Sequence, residues 1–242
     1  MNSYGLSSMR KVVLLIVLLI SATAFGQKST GQLTIMDANV DPGGIINELP
    51  LAPPSTVGST YIYEDWRSGE LTLKNGTKIS GYNLRYDLES DGLEIRYQGE
   101  IKICPYKMID MFTISNPESG LDMKFISSKK LNLVSAAGLS NVVQVLSKNQ
   151  GTLLLKSYSI SVKESTYVPA LDMGDHENKI QVKFKYYFVM KNEINPLDKR
   201  LKKNKDLFSS KYPDIEEFVK SKRLKLNNDS DVVMLFSYYN SL

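Results

Sequence analysis

Between Ile180 and Phe188 every second residue is apolar: Ile180, Val182, Phe184, Tyr186 and Phe188 alternate with Gln181, Lys183, Lys185 and Tyr187. A period of two places one set on each face of a pleated strand, whereas a helix would scatter the same residues around its axis. The segment is satisfied only as a strand with one face buried. A strand cannot bury a face alone, so the rest of the chain must supply a sheet.

It does so repeatedly. Leu71 and Leu73 alternate with Thr72 and Lys74, and Asn75-Gly76 follows as a type I′ hairpin signal. Tyr82, Leu84 and Tyr86 share a face, Asp91-Gly92 signals a second hairpin, and Leu93, Ile95 and Tyr97 repeat the pattern. Ile101 and Ile103 continue it until Pro105, which cannot donate to a ladder and ends that strand. Shorter strands are expected over 106–115 and 121–127, separated by Asn116-Pro117 and Gly120, and a further pair over 139–146 and 152–162, around the turn Lys148 to Gly151. Tight turns between two-sided strands predict antiparallel order, because parallel strands need long crossovers.

The period changes near the end. Pro213 suits a first helical turn, Asp214, Glu216 and Glu217 complement its positive end, and Ile215, Phe218 and Val219 share a face. Asp229 or Ser230 can cap a last helix carrying Val232, Val233, Phe236 and Tyr239, and a weaker helix is expected around 197–208. Helices this short must dock to persist.

The first 26 residues read as a cleavable export signal. Arg10 and Lys11 precede a nine-residue apolar run, Val12 to Ile20, and Ala22-Thr23-Ala24 matches a cleavage pattern, with a second acceptable site after Gly26. A membrane-spanning helix needs about 20 apolar residues, so the run is too short for one. The only cysteine, Cys104, lies far from this signal, so none is placed to carry a lipid. Removing the signal lowers the formal charge from +4 to +2, since Arg10 and Lys11 are its only charged residues. A lone cysteine forms no internal disulfide, so stability has to come from packing and sheet hydrogen bonds. Cys104 is expected to be a small buried hydrophobe.

Leu71-Thr72-Leu73-Lys74-Asn75-Gly76, Arg85-Tyr86, Tyr186-Tyr187 and the terminal Tyr238-Tyr239-Asn240 together resemble a family of uncharacterised exported proteins of Bacteroidota. The resemblance covers most of the mature chain. It implies export and a β-rich fold, and it brings no activity or site residue with it.

Motifs for chemistry are scarce. One Cys and one His, Cys104 and His176, have no zinc-ligand spacing. Asp87-x-Glu89-x-Asp91-Gly92 matches the start of a calcium loop, but Gln98 stands where the bidentate Glu belongs and strands flank it. His176 sits in a polar loop, and no nucleophile elbow is present to serve it. Glu64, Asp65, Glu94 and Asp172 are undistinguished candidates for paired carboxylates. The basic stretch 199–205 lacks interleaved aromatics, and export argues against a nucleic-acid partner.

These readings predict a mainly β (α+β) chain: an antiparallel β-barrel or sandwich of about eight to ten strands with a short C-terminal helical segment. Its organisation is a signal over 1–26, a leader or linker over 27–60, a β domain over 61–192 and a helical segment over 193–242. The expected function is a non-catalytic binding or interaction module of the cell envelope, periplasmic or extracellular. No catalytic residue, metal or cofactor is assigned, and an enzyme is the less favoured reading. Trp66, Tyr82, Tyr86 and Tyr97 are the candidate cavity-lining residues, should the sheet enclose one. An envelope protein or a small apolar ligand is the expected partner, with no nucleic acid and no integral membrane insertion once the signal is removed. The alternatives are an envelope hydrolase using paired carboxylates and an assembly subunit docking through Phe236, Tyr238 and Tyr239.

Overall fold

The alternating segments become eleven strands in the computed structural model, which describes residues 55–149 and 151–242. The expected export signal and most of the expected linker lie outside those residues, as does Gln150 in the expected 148–151 turn. In chain order the strands are β1 (Thr56–Val57), β2 (Arg67–Leu73), β3 (Lys78–Asp87), β4 (Gly92–Tyr97), β5 (Glu100–Pro105) and β6 (Ile109–Ser115). They continue with β7 (Asp122–Ser127), β8 (Val142–Asn149), β9 (Thr152–Lys163), β10 (Asn178–Met190) and β11 (Glu193–Leu197). Three helices follow: α1 (Lys205–Phe208), α2 (Tyr212–Lys222) and α3 (Asp229–Tyr239).

All eleven strands belong to one sheet, ordered β5-β4-β3-β2-β6-β7-β8-β9-β10, with β11 and β1 sharing the outer side of β10. Every pairing is antiparallel except the two-residue match of β1 with β10. The chain is thus mainly β with a helical end, as expected, but its sheet does not close into a barrel and is not split into a sandwich. Among the described residues β5 ends the sheet on one side, where Pro105 stops the ladder, and the other end is occupied by β1 and β11. Strands also extend past both expected domain limits, with β1 before residue 61 and β11 after residue 192.

The open sheet is strongly curled. A side-chain hydrogen bond runs from Asn141 Nδ2, beside β8, to Asp91 Oδ2 in the β3–β4 turn. Those strands are four positions apart in the sheet, about 19 Å if it were flat. Irregular pairings increase twist and bend a sheet. Gly69 pairs with Tyr82 but Glu70 pairs with Ser80, so Gly81 is an extra residue, held at φ 81° where glycine is favoured. That insertion lets Ile79 join Tyr82, Leu84 and Tyr86 on the inner face, which strict alternation forbids. A second extra residue, Leu146 in β8, turns toward the helices.

The inner face carries the main core. Tyr86, Phe112, Phe125 and Tyr158 run in sequence across β3, β6, β7 and β9, with successive ring centroids 5.7, 4.7 and 6.4 Å apart, and the exposed Phe184 of β10 ends the row 6.4 Å further on. Leu71, Leu84, Leu93 and Ile109 fill the spaces between strands and are fully buried or nearly so. Burying such side chains contributes about 1.5–3 kcal/mol each.

A strap of chain before β2 spans the gap left by incomplete closure. Asn178 N donates to Ser55 O on the β10 side, while Ile62 N donates to Tyr86 O and Leu88 N to Thr60 O on the β3 side. Between them Gly58, at φ 115°, lies so close to β10 that a Cβ would sit 2.5 Å from Ile180 O. The strap links β10, near one end of the sheet, to β3, two strands in from the other end, without forming a continuous ladder.

α2 and α3 cover the inner face over β8 to β11. Ile215, Val219, Val232, Leu235 and Phe236 pack with Leu154, Tyr186 and Phe188. α3 is capped by Asn228, whose side chain accepts from Asp231 N, one residue ahead of the expected cap. The expected helix over 197–208 is divided, with β11 ending at Leu197, a 3-10 turn at Leu201–Asn204 and then α1. On the outer face the 128–141 segment covers Val143, Leu155, Tyr187 and Val189, and Tyr187 donates to Gly138 O at 2.9 Å. Tyr187, on the polar side of the alternation, is therefore buried too. Both expected hairpins form, β2 with β3 and β3 with β4, but the Asn75-Gly76 turn is not of type I′. Asn75 stays outside the left-handed region that such a turn needs at both central positions, and Gly92 already belongs to β4. No helix among the described residues is long and apolar enough to cross a membrane.

Candidate ligand cavity

β9 presents Leu154, Lys156 and Tyr158 to the inner face, and the middle residue of that apolar series is charged. Lys156 is only 8% exposed. Its Nζ donates to both carboxylate oxygens of Asp229, at 2.9 and 3.0 Å, and lies 4.2 Å from the Phe184 ring centroid. Tyr186 also donates its hydroxyl to Asp229. Asp229 is the first residue of α3, where the helix end favours negative charge. A buried ammonium is tolerable because a carboxylate and aromatic faces replace its water.

Beside this pair a cavity of about 660 Å³ opens between the inner face of β7 to β9, the first turn of α3 and the 116–121 loop. Its polar wall contains Gln144, whose Oε1 accepts from the Tyr158 hydroxyl at 2.6 Å. Tyr63 enters from the strap and donates its hydroxyl to Met123 Sδ at 3.1 Å. Leu121, Met123, Leu146 and Val233 provide apolar surface, and Glu118 and Asp122 stand exposed in the same lining.

Arg67 completes the wall. Its guanidinium stacks 4.0 Å over the Tyr63 ring, and Nη1 makes a long contact of 3.5 Å to Ser115 O. Nε is buried without a hydrogen-bond partner, and among the described residues Arg67 forms no ion pair. A buried donor left unmade costs about 1–3 kcal/mol, so Arg67 is the least satisfied side chain of the wall.

Burial pushes the Tyr158 and Tyr186 phenols up, and the bond to Asp229 raises Tyr186 further. Burial also raises Tyr63. These are neutral hydrogen-bonding groups well above physiological pH, suited to holding a ligand rather than to moving protons.

The four aromatics expected to line a cavity are dispersed. Tyr86 is in the core stack and donates to Asp91. Tyr82 and Tyr97 pair with ring centroids 5.4 Å apart at one end of β3 and β4. Trp66 lies between Arg85 and Arg96, 4.5 and 4.4 Å from its ring. None of the four lines the 660 Å³ cavity. The residues that do, Tyr63, Arg67, Lys156 and Asp229 among them, went unrecognised in the sequence. Only Lys156 left a trace, as a charge on the apolar side of a strand.

Other candidate groups are placed as follows. Cys104 is buried in the inner core, which raises its thiol pKa. His176 is exposed and stacked on Tyr167. Glu94 accepts from Arg85 and Tyr61, Asp172 accepts from Tyr167, and Glu64 and Asp65 are exposed. Asp87 caps its own turn by accepting from Glu89 N and Ser90 N. No cluster of three metal-ligating side chains occurs among the described residues. Lys199, Arg200 and Lys203 of the basic stretch rim a second cavity of about 640 Å³, with Asp198 paired to Arg200 and Lys203. Phe236 is fully buried, Tyr238 stacks on Phe218, and Tyr239 packs on Phe188 and Phe208. These three aromatics hold the helices to the chain's own sheet and to each other.

Compared with protein-family models, with curated proteins and with solved structures, the chain matches none of them.

Proposed function

We propose that this chain is an exported, non-catalytic binding module of the cell envelope that holds a small ligand between its curled sheet and α3. The observation that carries the reading is the 660 Å³ cavity, a volume within the usual range for small-molecule sites. Its wall is more polar than apolar, with Leu121, Met123, Leu146 and Val233 set among charged and hydrogen-bonding side chains that can orient a ligand. The reading of export rests on Arg10-Lys11, the Val12–Ile20 run and the small residues after it, together with the resemblance to exported proteins of Bacteroidota.

Two uncharged or singly charged dyes test the cavity: phenylnaphthylamine and its sulfonated relative, anilinonaphthalene sulfonate. At least one should bind the native mature protein saturably and one-to-one, and Val233→Trp, which projects bulk into the cavity, should abolish that binding. If neither dye binds, or if Val233→Trp binds as the parent does, the cavity is not the site. Export is checked by the mass of the protein recovered outside the cytoplasm, which should begin at Phe25 or Gln27.

A further inference from the structure

We infer that the cavity takes a ligand with one singly charged oxyanion on an apolar body, and that Arg67 is the group that reads the charge. The inference rests on the cavity reading above. Three observations converge on it. First, among the described residues the Arg67 guanidinium has no carboxylate partner: Nε is buried without an acceptor, Nη1 makes only a long contact, and Nη2 makes no hydrogen bond, which leaves the terminal nitrogens for a ligand. A planar guanidinium offers paired donors that match an oxyanion edge-on, and such charge-assisted bonds are about twice as strong as neutral ones. Second, the other cation in the wall is already neutralised, because both oxygens of Asp229 face Lys156 Nζ. Among the described residues Arg67 is the lining cation left to a ligand. Third, Leu121, Met123, Leu146 and Val233 give the remainder of the ligand an apolar wall.

The charge is limited to one by the rest of the lining. Glu118 and Asp122 also border the cavity. Lys156 and Asp229 cancel, and Glu118 and Asp122 then outnumber Arg67, so a second negative charge is repelled and a single one is held only by direct contact with Arg67, the two carboxylates being exposed to water. A carboxylate on a hydrocarbon body fits this arrangement better than a phosphate monoester, which carries about −1.5 to −2 at neutral pH.

The two dyes share a skeleton and differ by the sulfonate, so their comparison isolates the charge. At neutral pH the sulfonate should bind about tenfold more tightly than phenylnaphthylamine, the increment of one or two charge-assisted hydrogen bonds. Arg67→Gln should bring the two dyes to the same affinity, with circular dichroism confirming the fold. The wild-type protein gives a second measurement free of any folding defect: octanoate should displace the bound dye at lower concentration than octyl phosphate, and octanol should displace it least. Equal affinity for both dyes, a sulfonate preference that survives Arg67→Gln, or octanol competing as well as octanoate overturns the oxyanion inference and leaves the cavity reading standing. Saturable binding of neither dye overturns both.

Discussion

Lys156 and Asp229, 73 residues apart, meet through two hydrogen bonds of 2.9 and 3.0 Å that fasten the first turn of α3 to β9. The pair is asymmetric, because the lysine side chain is 10% exposed and the aspartate 41%. Removing the lysine returns a half-exposed carboxylate to water; removing the aspartate strands an ammonium among Phe184, Tyr158 and Tyr186. Asp229→Ala should therefore cost about 2 kcal/mol, reduced from the value of a fully buried pair by solvent screening, and Lys156→Met about half as much. Urea unfolding measures both. A Lys156→Met cost equal to or above that of Asp229→Ala would remove this account of the pair.

Stability should fall on the alkaline side. Burial raises the pKa values of Tyr86, Tyr158 and Tyr186, with Asp91 and Asp229 adding to the first and last. The folded state keeps these phenols protonated, while the unfolded chain ionises them near pH 10. Their contribution is complete below that pH and is lost as pH rises toward the folded values. Ultraviolet phenolate titration should show these tyrosines ionising only as the protein unfolds. Reversible ionisation of every tyrosine near pH 10 in a still-folded protein would contradict the burial argument.

Asp87 acts on the acid side. Burial alone would raise its carboxyl, but hydrogen bonds from Ser90, Thr60 and the Glu89 and Ser90 amides together hold it below its ordinary value of 3.8. A depressed folded pKa gives stability that is present above 3.8 and lost as pH falls through the folded value. Asp87→Asn should cost about 1 kcal/mol at neutral pH. Chemical denaturation across the acid range should show that difference shrinking below pH 4; a cost independent of pH would mean that charge is not involved.

The strap and the β3 bulge use glycine for different reasons. At Gly81 an added Cβ meets open space, so Gly81→Ala pays only for the left-handed backbone, about 1 kcal/mol. At Gly58 the Cβ would also meet Ile180 O at 2.5 Å, so Gly58→Ala should be costlier by at least about 1 kcal/mol and should loosen the strap from β10. Thermal or urea unfolding ranks the two, and faster amide exchange at Asn178 in the Gly58 variant would report the loosening. The reverse ranking would mean that the strap is not closely held.

Most of the sheet was legible from alternation. Tyr82, Leu84 and Tyr86, then Leu93 and Ile95, occupy the inner face as their spacing implied, and β10 is a strand as its period implied, although Tyr186 to Val189 are buried on both faces. Legibility ended where a pattern was broken or shared. The extra residue at Gly81 shifts the face of everything before it, and alternation cannot register such a shift in advance. Tyr187 looked solvent-facing because nothing local indicated that the 128–141 segment would cover it. The cavity was less visible still. Aromatic character points to Trp66 and Tyr97, but the wall is built from Tyr63, before the first long strand, Arg67 at its start, and Asp229, the first residue of α3.

What the amino-acid order determined by itself is local: which stretches are strands, which face of each is apolar, and where the terminal helices begin and end. Those features follow from side-chain period, proline and capping chemistry, all acting within a few residues. Closure, the strap and the cavity were decided only by tertiary structure. An apolar face specifies that it must be covered but not by what, and the same alternation serves a barrel, a sandwich or a curled open sheet. Here bulges bend the sheet, residues 55–62 link β10 to β3, and α3 lies on β9 and β10 with Val232, Leu235 and Phe236 against Leu154 and Phe188 and with Asp229 on Lys156.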